Sequence, residues 1–128
     1  MLRWTLVLSL AVVLLAGRAE ASGSSRYRER SMKGWELYSW VEHGHWDFAL
    51  LEGTNRSKSV AEVRAARADG GLDGVVGRIG GLERGDTVTW LTQPPGTTAP
   101  AGFALPADDA VARVKKACRR ARVTLQLP

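Results

Sequence analysis

Five side chains between Tyr38 and Asp47 have the types and spacing for chemistry: Tyr38, Trp40, Glu42, His45 and Asp47. In extended chain, residues two apart point to the same side. A turn at His43-Gly44 would therefore pair Glu42 with His45 and Trp40 with Asp47, bringing all five onto one face. Two carboxylates and an imidazole can do acid-base work, which opens a hydrolase reading with Arg56 as anion stabiliser. The same residues also make an ordinary solvated sheet face of cross-strand pairs, and no catalysis is expected here. On that reading Tyr38 and Trp40 supply a stacking surface for a sugar or a peptide. His43-Gly44-His45 offers two imidazoles on a turn, with no third histidine and no cysteine nearby. That is too few ligands for a structural or catalytic metal, and neither metal nor cofactor is expected.

The loop Gly53-Thr54-Asn55-Arg56-Ser57-Lys58-Ser59 is the sharpest binding candidate. It sets Arg56 and Lys58 beside the free N–H groups of a following helix, a combination suited to phosphate, sulfate or carboxylate. Asn55 either joins that site or bonds its own backbone in a plain capped loop. The Walker pattern is absent, so nucleotide hydrolysis does not follow. Candidate ligand-binding residues are thus Tyr38, Trp40, Asn55, Arg56 and Lys58. The sequon Asn55-Arg56-Ser57 and the triplet Arg84-Gly85-Asp86 are short enough to arise by chance. Cys118 falls on an apolar helix stripe, so a buried inert thiol is expected rather than a nucleophile.

The elements that must position these residues are legible from periodicity. Trp35 to Val41 and Trp46 to Glu52 read as two strands of a hairpin. Its first face, with Leu37, Val41, Trp46, Phe48 and Leu50, is the expected core face, and the opposite face is half-polar. Ser59-Val60-Ala61-Glu62 matches a capping box and predicts a helix from Val60 to about Ala68. Leu72, Val75, Val76, Ile79 and Leu82 share a second helical face, weakened by glycines 74, 77, 80 and 81. Thr87 to Leu91 reads as a third strand, followed by a long Pro/Gly loop through Gly102. A helix opens at Pro106 with Asp108 and Asp109 in its first turn and basic residues in its last, as the helix dipole favours. Val111, Val114, Cys118 and Ala121 form its stripe, and alternation from Val123 to Leu127 ends the chain in a fourth strand. The order ββααβαβ predicts an α+β fold: two layers, a four-stranded mixed sheet with helices on one face, the last two strands parallel if adjacent.

The chain has 128 residues and a formal charge of +5. Residues 1–21 read as a signal peptide: Arg3 precedes an apolar run from Trp4 to Ala16, and Ala19-Glu20-Ala21 offers a cleavage site. The run is too short for a spanning helix, so no transmembrane segment is expected after cleavage. Residues 22–32 read as a flexible basic lead and 33–128 as a single domain. Basic residues crowd the entry segment (Arg26, Arg28, Arg30, Lys33) and the last helix (Arg113, Lys115, Lys116, Arg119, Arg120, Arg122), which favours anionic partners. No aromatics are interleaved with either cluster, so no specific nucleic-acid site is expected. One cysteine allows no internal disulfide.

Lys33-Gly34-Trp35-Glu36-Leu37-Tyr38-Ser39-Trp40, with Trp46 to Lys58, resembles a pattern in small uncharacterised bacterial proteins, many of them exported. The resemblance implies a shared hairpin and loop and carries no activity across. The preferred expectation is a secreted or periplasmic, non-catalytic binding or protein-interaction domain. Its partner would be an envelope protein, a glycan or another anionic ligand. A small exported hydrolase, or an inhibitor of another exported enzyme, is the alternative.

Overall fold

The computed structural model describes residues 32–53, 57–94 and 102–128. The leader, most of the basic lead, Asn55 and Arg56 therefore lie outside the described residues. Strand β1 (Gly34–Glu42) turns at His43 and Gly44 into β2 (His45–Glu52). Both turn residues have positive φ, 54° and 80°, which is the backbone of a two-residue hairpin turn whose twist matches that of the strands. The register is the expected one, with Glu42 opposite His45 and Leu37 opposite Leu50.

Helix α1 (Val60–Ala65) opens on the capping box: the Ser59 hydroxyl accepts from the Glu62 N–H, and the Glu62 carboxylate accepts from the Ser59 N–H. It stops at Ala65 rather than near Ala68, because the Ala68 N–H is diverted to the Phe48 carbonyl of β2 at 2.7 Å. Helix α2 (Gly71–Ile79) begins after Gly70 in the left-handed region, φ 81°. Gly74 is required by packing rather than being a weakness, since a Cβ there would sit 1.9 Å from the Asp69 carbonyl oxygen. Strand β3 (Thr87–Leu91), helix α3 (Asp108–Ala121) and strand β4 (Thr124–Gln126) complete the chain.

The sheet is mixed, in the order β2-β1-β3-β4, with β1/β2 antiparallel and β1/β3 and β3/β4 parallel. The α+β class and the ββααβαβ order are those expected from periodicity. On one face α2 and α3 bury Val75, Ile79, Val114 and Cys118 against Leu37, Phe48, Leu50, Val88 and Trp90. The short α1 is the exception to a single helical layer. Its Val63 packs with Tyr38, Trp40, Ala49 and Phe103 on the opposite face.

Two expectations about the hairpin change. Val41 and Trp46, assigned to the core face, are exposed at 45% and 36%. They lie at the hairpin tip, next to the turn, and belong to neither buried cluster. The half-polar face is instead a second core, because the segment after the Pro/Gly loop returns to it. β3 pairs with β1 only as far as Tyr38. Beyond that point Ala104 N–H donates to the Ser39 carbonyl and Val41 N–H to the Gly102 carbonyl, both at 3.1 Å, and Phe103 bridges antiparallel to Trp40. Gly102, at φ 80°, makes the close approach possible, since a Cβ there would lie 3.1 Å from the Val41 carbonyl oxygen.

Candidate functional site

Phe103 decides what the hairpin face can do. Its ring lies 6.1 Å edge-on from Tyr38 and 5.2 Å from Trp40, and both of those rings are fully buried. The stacking surface expected of Tyr38 and Trp40 is therefore covered. The physical reason is that a large apolar face adjoining the part of β1 that β3 leaves unpaired is buried by a returning segment that carries another aromatic and bridges to Trp40. Trp40 Nε1 donates to Glu42 Oε1 at 3.0 Å, so even its polar tip is occupied.

Lys58 is placed equally far from its expected role. It is only 4% exposed and its Nζ lies 3.0 Å from Glu36 Oε1, which also accepts from the Tyr38 hydroxyl at 2.8 Å. The ammonium serves as an internal counter-ion and is not presented to an external anion. Burial, then the hydrogen bond to Glu36 and its charge, push the Tyr38 hydroxyl well above the usual tyrosine range. Asn55 and Arg56, the other two members of the loop site, are outside the described residues.

His45 and Asp47 do meet, with Glu42 opposite His45 in the hairpin register. His45 Nε2 and Arg67 Nη1 lie 3.4 Å and 3.7 Å from the Asp47 Oδ2 atom. The Trp40 hydrogen bond, helped by the charges of Arg64, His43 and Arg67, holds the Glu42 carboxyl below the usual carboxylate range. A depressed carboxylate is a poor general base and carries no proton to give at neutral pH. Glu42, His45 and Asp47 line neither groove beside the last helix nor the cavity at Trp35 and Asp86. Among the described residues no cluster of three His, Cys, Asp or Glu side chains could hold a metal ion.

Two polar centres escaped the sequence reading. Asp86, the end of the discounted Arg84-Gly85-Asp86 triplet, is 2% exposed. One of its oxygens accepts from the Lys33 N–H at 2.9 Å, and the other from the Glu83 N–H at 3.1 Å and Trp35 Nε1 at 3.2 Å. It ties the start of β1 to the turn before β3 and is closed to any partner. Ser39 is likewise buried, accepting from Trp90 Nε1 at 2.9 Å and donating to the Ala104 carbonyl. For Ser39 the signal was a polar residue in an aromatic strand; for Asp86 it was an acidic residue in the turn just before β3.

What remains open is α3. Its buried stripe is Val114, Ala117 and Cys118, and burial pushes the Cys118 thiol up, as for an inert side chain. Arg113, Lys115, Lys116, Arg119, Arg120 and Arg122 are all exposed. Only Arg113 has a carboxylate among the described residues, Asp73 at 2.6 Å. The other five form no ion pair there. Grooves flank the helix on both sides. One of about 250 Å³ lies toward α2, rimmed by Arg113, Lys116 and Arg120. One of about 270 Å³ lies toward β4, rimmed by Lys115 and Arg119. No described helix is long and apolar enough to cross a membrane. Comparison of the chain with protein-family models, with curated proteins and with solved structures gave no match.

Proposed function

We propose that this chain is an exported, non-catalytic binding domain that meets an anionic partner through the basic face of α3. The observation that carries the reading is the row of five exposed cations with no ion pair among the described residues, Lys115, Lys116, Arg119 and Arg120 on α3 and Arg122 at its C-cap. Like charges at this density repel one another and weaken the isolated helix. Their cost is recovered when an anionic surface arrives, and their common field steers it in. The covered Tyr38/Trp40 face and the internal Lys58 support a contact surface on α3 rather than on the hairpin. The depressed Glu42 carboxyl, held by the Trp40 hydrogen bond, supports binding over hydrolysis.

Titration of the protein with fluorescent polyglutamate, followed by anisotropy, tests the reading. Exposed charge contacts contribute about 0.3 kcal/mol each. Reversal of Lys115, Lys116, Arg119 and Arg120 to Glu removes four attractions and adds four repulsions, so at least about a tenfold loss of affinity is expected. Unchanged affinity in a folded variant would remove α3 from the function.

A further inference from the structure

The groove between α3 and β4 adjoins an open sheet edge, and the two together have a chemistry that basic charge alone does not explain. Among the described residues β4 pairs only with β3. The Thr124 N–H donates to the Asp86 carbonyl at 2.9 Å, so the backbone of Thr124 faces inward toward β3. By strand alternation the N–H and C=O of Leu125 point outward from the sheet edge. Beside them Cys118, Val123, Leu125 and Leu127 form an apolar trough, and Leu127 is 40% exposed. Lys115 and Arg119, which form no ion pair among the described residues, stand along its helix side. A backbone donor and acceptor, a small apolar trough and two cations meet in one place. These are the requirements for capturing an extended peptide by strand addition.

We propose that β4 is a docking edge for an extended acidic segment of a partner protein, which adds to the sheet as a fifth strand. The inference rests on the anionic-partner reading and specifies the partner's form. On the helix side of the sheet the added strand sets an apolar residue in the trough and carboxylates against Lys115 and Arg119. On the other side it sets short polar residues beside Thr124 and Gln126, where Thr89 Oγ1 already donates to Gln126 Oε1. Charge complementarity selects this occupant over a second copy of the chain, because edge-to-edge pairing of two copies would bring Lys115 and Arg119 of each against the other. A lipid headgroup would engage the cations but leave the Leu125 backbone groups unused. The rival is protective: cations beside a short edge strand also discourage indiscriminate pairing.

The test uses the ¹⁵N-labelled protein and the capped peptide Glu-Thr-Val-Thr-Glu, whose alternation puts Glu, Val and Glu on one face and Thr on the other. A second peptide of the same sequence carries N-methyl groups on its three central residues, which keeps the charge and blocks strand pairing. The parent peptide should shift the amide signals of Val123, Leu125 and Leu127 saturably. The N-methylated peptide should bind at least tenfold more weakly, and Lys115→Glu with Arg119→Glu should weaken the parent peptide to a similar degree. Equal affinity of the two peptides, or no binding of either, would overturn strand addition. If polyglutamate still binds α3 in that case, the anionic-partner reading survives and only its form is lost; if polyglutamate also fails, the broader reading has failed. Sedimentation showing a dimer that perturbs Leu125 would give the edge to a second copy and also overturn the proposal.

Discussion

Replacing Lys58 by methionine separates a structural cation from a binding one. Removing one partner of a fully buried ion pair costs about 3–5 kcal/mol, because the other charge is left uncompensated. Here Glu36 keeps 18% of its side chain in water and retains the 2.8 Å hydrogen bond from Tyr38, which relieves part of that penalty. Methionine also refills most of the space of the lysine stem. The expected loss is therefore about 2–3 kcal/mol, at or below the lower edge of the range for a fully buried pair. In a domain of this size each kcal/mol moves the melting temperature by about 4–8 °C, so a fall of about 10–20 °C is expected. Thermal melts of the wild type, Lys58→Met, Glu36→Gln and the double variant, monitored by circular dichroism, measure it. The double variant should recover part of the loss, since it leaves neither charge alone. A Lys58→Met protein with unchanged melting temperature and weakened polyglutamate binding would refute the reasoning and return Lys58 to the loop as an anion ligand.

Further outcomes follow from other buried groups. Asp86→Asn should destabilise by about 2 kcal/mol, because all three partners of the carboxylate are donors and an amide turns its NH₂ on at least one of them; a melt matching the wild type would contradict this. The raised pKa of Tyr38 means that the unfolded chain gives up its tyrosine proton first. Its contribution is intact below about pH 10 and is lost as pH rises further, so stability should decline on the alkaline side and Tyr38→Phe should flatten that decline in urea melts. Gly74→Ala should lower the melting temperature despite alanine's helix propensity advantage of about 1 kcal/mol, since the new Cβ meets the Asp69 carbonyl; a stabilised variant would show that this turn can relax.

Local signals located the elements, and long-range ones decided the site. The His43-Gly44 turn fixes the hairpin register because positive φ at two successive residues leaves one tight connection. The Ser59/Glu62 capping box and the Val114/Cys118 stripe are equally self-contained. Alternation could say that Tyr38, Trp40, Glu42 and Asp47 share a face, but not what covers them. That depended on Phe103, carried by a Pro/Gly-rich stretch whose composition suggests only a loop, reaching the part of β1 that β3 leaves unpaired. Lys58 fell to the same cause: its acidic partner Glu36 lies 22 residues earlier, on β1, and spacing along the chain carries no trace of the pair. The basic content of α3 was visible at once, whereas its standing beside an open strand edge required the order β2-β1-β3-β4.

The salt dependence of polyglutamate binding tests the central claim most directly. At 0.1 M salt the screening length is about 10 Å, and at 1 M about 3 Å, so attraction between exposed charges fades across that range. The wild-type protein should bind polyglutamate progressively more weakly as salt rises, while the variant with Lys115, Lys116, Arg119 and Arg120 reversed to Glu should bind weakly throughout, so that the two curves converge at high salt. Parallel curves, in which reversal of these four charges leaves the salt dependence intact, would place the anionic contact elsewhere on the molecule and contradict the account.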